Sequence, residues 1–247
     1  MRKCEVRRSE GLRVRKLEIV TAPDRHGMVR RAKQPRGRSV AVTLVLLTAA
    51  TLAAAPLQLL PVDEAYKRPD FFSFRAQLQR AIAMRDTTAL LAAVDPNIKN
   101  SFGGNDGLDE FKTMWKIGQP DSGIWEELGT VLSMGGSFFD EHTFVAPYVF
   151  SKWPESVDSF EHIAIVGANV RVRSEPKPDA PPIDAVSFVI LPVASDARVT
   201  DEAWRAVKIE SRVGFVSSRF ARSPIDYRAI FSGQSGQWRL VTFVAGD

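Results

Sequence analysis

An α+β fold is predicted: a small N-terminal helical domain, then a small β-barrel, then a C-terminal β-hairpin. Three patterns predict it. Between residues 70 and 135 apolar residues recur every three or four positions, as on the inner face of short helices. From Ile163 to Phe220 the apolar runs are short and broken by Gly, Pro and Asp, the pattern of a small all-β unit. At the end, RAIF (228–231) and WRLVTFVAGD (238–247) flank a Gly-Ser turn, as in a hairpin. A length of 247 residues leaves room for one or two domains beyond a targeting segment. A chain 45% hydrophobic and 25% charged is ordinary for a folded protein.

The net charge of +4 conceals a segregation. Residues 1–38 carry 13 Lys+Arg against 4 Asp+Glu, and the remainder carries 20 against 25, a net of −5. The body is therefore mildly acidic, which speaks against nucleic acid as a partner. The only cysteine is Cys4, in the basic head. The body can thus form no disulfide and offers neither a thiolate nucleophile nor a Cys metal ligand, a composition that suits an oxidising compartment.

Residues 30–38 (RRAKQPRGR) precede an uncharged apolar run, Ser39 to Ala55. A basic region, an apolar core and small residues at its end make a secretory signal peptide, which implies a periplasmic or secreted protein. Ala53 and Ala55 satisfy the small-x-small pattern before a cut, and cleavage after Ala53 is an alternative. The competing reading is an uncleaved inner-membrane anchor over residues 39–60, long enough to cross a bilayer. Met28 is an alternative start, with residues 1–27 as an upstream extension.

The expected layout is then a basic extension (1–38), the apolar export segment (39–55), a linker (56–69), the helical domain (70–160), the barrel (161–222) and the hairpin (223–247). A helix from Phe71 to Met84 follows from Phe74, Leu78 and Ile82 at spacings of four. Thr87 or Thr88 caps a second helix carrying Leu90, Leu91 and Val94, stopped before Pro96. Asp106 is a candidate cap for a third, with Leu108, Phe111 and Trp115 on one face. Ser122 caps a fourth, with Trp125, Leu128 and Leu132 inward and Gly135-Gly136 at its end.

Two groups in this front part have chemical potential. In DEHTF, Asp140 and His142 share a face if the segment is extended and could serve a metal or a proton transfer; the alternative is a solvated loop before a strand. In FVAPYVFSKWP (144–154), Tyr148, Phe150 and Trp153 either line an aromatic groove or form an apolar seam between domains. No catalytic set, metal site or cofactor motif is recognisable. Gly233 and Gly236 lack the strand and helix context of a phosphate loop.

In the barrel segment, Val170 and Val172 alternate with Arg171 and Arg173, a strand with one wet face. Val186 to Leu191 reads as a buried strand and WRAVKIE (204–210) as another. There Trp204 faces away from the side shared by Val207 and Ile209. Gly214, before Phe215 and Val216, allows a close strand approach. Gly167, the VRVR run, Pro176, Trp204 with Val207 three residues later, and Gly214-Phe215-Val216 together resemble a bacterial SH3 domain, over about a quarter of the chain. The exported part as a whole is similar to uncharacterised bacterial secreted SH3 domain-containing proteins. The sequence departs from that pattern in a proline-rich loop at 174–182 and a long acidic-polar loop at 194–203. Both lie where such barrels build their groove.

The resemblance implies an SH3-like barrel that binds without chemistry, with peptidoglycan or a periplasmic or envelope protein as partner and no cofactor. Ligand contact is assigned to Trp204, Arg171, Arg173 and Phe215, and to Tyr148 and Trp153 in the aromatic segment. The alternative for Trp204 is packing beneath its own long loop. The competing functional reading is an accessory protein or a carboxylate-dependent cell-wall hydrolase. In the tail, Trp238, Leu240 and Thr242 share one face of a strand and Arg239, Val241 and Phe243 the other. The hairpin either extends the barrel or returns to pair with residues 142–150, and the second placement is favoured because it gives the aromatics of 144–150 a partner.

Overall fold

The computed structural model describes residues 56–246, apart from 198 and 235. The basic extension, Cys4, Met28 and the export segment lie outside the described residues. Within them the chain is mixed α+β. Its helices are α1 (Pro69–Met84), α2 (Thr87–Ala93), α3 (Leu108–Met114), α4 (Ile124–Ser133) and α5 (Tyr148–Ser151). Its strands are β1 (Val94–Lys99), β2 (Ser137–Asp140), β3 (Thr143–Ala146), β4 (His162–Ile165), β5 (Val170–Arg173), β6 (Pro182–Val186), β7 (Ile190–Pro192), β8 (Trp204–Ile209), β9 (Arg212–Ser217), β10 (Ala221–Arg222), β11 (Arg228–Ser232) and β12 (Arg239–Val244). Among the described residues no helix is long and apolar enough to cross a membrane.

The front part is not helical throughout. β1, β2 and β3 join β11 and β12 in a five-stranded sheet of order β1-β12-β11-β3-β2. Helices α1 to α4 pack on this sheet, while α5 belongs to a separate apolar cluster. Phe71, Leu78 and Ile82 of α1, Leu128 and Leu132 of α4, and Phe111 of α3 share one core with Phe144, Phe231, Leu240 and Phe243 of the strands. The expected helix through Val94 stops at Ala93, because Pro96 cannot continue it. The chain then runs extended as β1, parallel to β12 at the sheet edge, a place where a strand tolerates a proline.

Three expected caps are displaced by neighbours of the same chemistry. The Asp86 carboxylate, not Thr87 or Thr88, accepts the Ala89 N–H that opens α2. The Asp106 carboxylate accepts the Asn100 N–H, leaving Gly107 at the start of α3. The Ser122 hydroxyl donates to the Trp115 carbonyl, and Gly123 precedes α4.

The terminal hairpin lies in the front sheet. β11 pairs antiparallel with both β3 and β12, and β12 pairs with β1. Strict alternation would put Leu240 and Phe243 on opposite faces, but both are fully buried in the same core. The register explains the difference: Ile230 pairs with Thr242 and Phe231 with Leu240, so Val241 is an extra residue, a β-bulge that turns the strand over.

Residues 162–222 form two further sheets, of order β10-β4-β7 and β6-β5-β9-β8. A bridge between Val193 and Val207 links their edges. Ile163, Ile165, Val170, Val172, Leu191, Val207, Ile209 and Val216, drawn from both sheets, make one apolar cluster. β4 enters and β10 leaves this segment side by side, with Ala221 opposite Ile165 and Arg222 opposite Ala164.

A third cluster joins the segment to the front part: Leu59, Tyr148, Val149, Ala164 and Ile190, with Trp153 and Val157 packed against them. The strand-like stretch from Leu57 crosses this seam. Leu59 donates its N–H to the Phe188 carbonyl, and Gly136 donates its N–H to the Val62 carbonyl. Its far end is fixed by Asp63, whose two carboxylate oxygens each accept a hydrogen bond from the Arg75 guanidinium at 2.7 Å. Burial alone would raise the Asp63 pKa, but the Arg75 fork and the Ala65 N–H outweigh it and hold the group below its ordinary value.

Candidate binding cleft

The cleft is built from β5, β8 and β9 and the helical turn that follows β9. In β5 the alternation sends Val170 and Val172 inward and leaves Arg171 and Arg173 on the outer face. In β9 Val216 points inward, so Phe215 and Ser217 point outward. In β8 Val207 and Ile209 point inward, and Trp204 takes the outer face. Register then groups them. Arg173 is paired with Phe215, Phe215 with Ala206, and Ser217 with Trp204.

Arg171, Arg173, Trp204 and Ser217 line a cleft of about 430 Å³, together with Ala168, Asn169, Val170, Pro178, Arg219 and Phe220. Two loops and a short helical turn close its sides. The Arg173 guanidinium donates to the Ala180 carbonyl at 2.6 Å and so ties the proline-rich loop to β5. The Arg219 guanidinium lies over the Phe220 ring, 4.4 Å from its centroid. Gly167 makes room for that ring: a Cβ there would lie 3.2 Å from Phe220 Cδ1 and 2.9 Å from Val170 Cγ2. Trp204 is 7% exposed. It is buried and still forms part of the cleft wall.

The electrostatics are one-sided. Among the described residues, those lining the cleft carry three guanidinium groups and no carboxylate. Arg171 makes no hydrogen bond or ion pair among them, and Arg219 makes only its ring contact. Glu175, in the adjoining loop, is engaged by Lys177 at 2.9 Å. Guanidinium forks beside flat rings can take a planar anion and an apolar or sugar stem.

Of the six residues expected to touch ligand, the structure brings Trp204, Arg171 and Arg173 together. Phe215 shares their face but is not among the cleft residues. Tyr148 and Trp153 are elsewhere, in the apolar seam. Tyr148 is 2% exposed, and burial pushes its hydroxyl up to about 12. The Trp153 indole donates to the Val157 carbonyl at 2.9 Å. Arg219 and Phe220 escaped the sequence reading because alternation ends at Ser217, where the chain enters a helical turn. The basic-aromatic pair directly after the Gly-Phe-Val strand was the available signal.

Asp140 and His142 form a turn. The Asp140 carboxylate accepts the His142 N–H at 2.8 Å and the Thr143 hydroxyl at 3.1 Å, contacts that lower its pKa, the His142 amide most. Among the described residues no three His, Cys, Asp or Glu are placed to hold a metal ion. A comparison of the chain with protein-family models and with curated proteins found no match.

Proposed function

We propose that the chain is an exported, non-enzymatic binding module, and that residues 161–222 form a bacterial SH3-like barrel that recognises peptidoglycan or an envelope protein. The basic head followed by the apolar run at 39–55 supports export to the periplasm or beyond. The observation that carries the binding reading is the cleft, where Arg171, Arg173 and Trp204 of one sheet meet Arg219 and Phe220 of the helical turn that follows β9. Concave sites with an apolar wall and a few convergent polar groups are where small ligands bind. The arrangement supplies the groups that recognition needs.

The test is retention of the purified full chain on insoluble cell wall and, in parallel, on immobilised periplasmic extract. Trp204→Ala is carried beside it, with its fold checked by circular dichroism. Retention on the wall that falls in the variant supports the reading. Retention on neither material overturns it.

A further inference from the structure

We infer that the cleft is a carboxylate site, and that its ligand is a wall glycopeptide bearing a free carboxylate, held between Arg171 and Arg219 with its stem against Trp204 and Phe220. The inference rests on the binding-module reading and deepens it. Its basis is charge. The chain after residue 38 has a net charge of −5, yet the cleft gathers three arginines and, among the described residues, no acid. These arginines are not there to balance a carboxylate of the fold. Arg222, by contrast, meets Glu127 at 2.9 Å, and Arg75 meets Asp63 at 2.7 Å.

The three do not share one task. Arg173 is committed to the Ala180 carbonyl and braces the loop. Arg171 and Arg219 are the two left to meet a ligand. A guanidinium presents parallel N–H donors that match the two oxygens of a carboxylate, and an ammonium does not. Size narrows the choice further. A cleft of about 430 Å³ takes one small charged group on an organic stem. A polyanionic strand needs a stripe of cations, and a body of net charge −5 disfavours one.

The probes are muramyl dipeptide with its one carboxylate free, the same compound with it amidated, and inorganic phosphate, each titrated against the full chain by calorimetry. The free dipeptide is expected to bind at least about tenfold more tightly than the amidated one, one decade in Kd. Arg171→Gln and Arg219→Gln should each weaken it about tenfold, with Arg171→Lys falling between wild type and Arg171→Gln. Arg80→Gln, on the exposed side of α1, should leave binding unchanged. Equal affinity for the two dipeptides overturns the inference, as does an insensitive Arg171→Gln or tighter binding of phosphate than of the free dipeptide. If the wall still retains the chain in any of those cases, the binding-module reading survives and only the carboxylate assignment falls. If neither wall nor extract retains the chain, both fall.

Discussion

Asp70 shows how a single exposed carboxylate ties distant parts of the chain. It stands in the first turn of α1, where a negative charge also meets the positive end of the helix dipole. Its Oδ2 accepts the Trp238 indole N–H at 2.9 Å, from the residue before the last strand, and the Arg68 guanidinium donates to both of its oxygens. The indole hydrogen bond first, then Arg68, brings its pKa down to about 2 from an ordinary 3.8. A carboxylate depressed in the folded state contributes stability in full above its unfolded pKa, and that contribution disappears as pH falls through the folded value. The window here is about pH 4 down to about pH 2. Asp70→Asn should therefore be less stable than wild type at pH 6, with the gap closing over that window. The size is modest because the group is largely in water. Urea unfolding at pH 6, 4, 3 and 2 reads the gap, and a difference that stays constant with pH would refute the assignment.

At the scale of elements, Gly214 sets how closely the strands of the insertion approach. A Cβ at this position would lie 2.3 Å from Val172 Cγ1 and 3.0 Å from Ile183 Cδ1. Both neighbours belong to the apolar cluster or pack on it, so neither can move into solvent. Gly214→Ala is expected to cost about 2 kcal/mol, the scale of an overpacked core. Val172→Ala should recover part of that loss in the double variant, since the two sites touch. Chemical denaturation of the four proteins checks it, and additive costs would count against the close approach. Gly214 was legible in the sequence because a lone glycine inside a strand pattern has few other reasons to be there. So were α1, from its spacing of four, the wet face of VRVR with Arg171 and Arg173, from its alternation, and the place of Trp204, from its odd spacing from Val207. β1 was not legible, because Val94-Asp-Pro-Asn-Ile has no strand character of its own and is extended only by pairing with β12, some 140 residues later. The bulge at Val241 was hidden for the same reason: it exists only in the register with β11. Tyr148 and Trp153 could be read as a groove or as a seam, because a cluster of aromatics reads alike whether it meets a ligand or a neighbouring part of the same fold, and they sit in the seam.

At the scale of the molecule, the decisive feature is that the sheet of the front part is completed by the end of the chain. β11 and β12 lie in its interior, between β1 on one side and β3 on the other. Ala229, Phe231, Leu240 and Phe243 in these strands are fully buried, packed with α1, α3 and α4. The helices cannot bury their apolar faces until residues 228–244 arrive, so the front part is assembled late and across a large sequence separation. Residues 162–222 have their own cluster and start and finish on the paired strands β4 and β10. Two truncations separate the roles. A chain ending at residue 222 loses the two central strands and should show neither the cooperative unfolding nor the helix signal of the intact protein. A chain in which 162–222 is replaced by a short Gly-Ser linker should keep the helix signal and a cooperative transition. It should unfold at lower denaturant than the intact protein, because Leu59, Tyr148 and Val149 lose the cover that Ala164 and Ile190 provide. Circular dichroism during a urea titration distinguishes them. A cooperative 222-residue chain would mean that the front part needs no hairpin, and an unfolded linker chain would mean that the insertion is structurally inseparable from the sheet that carries it.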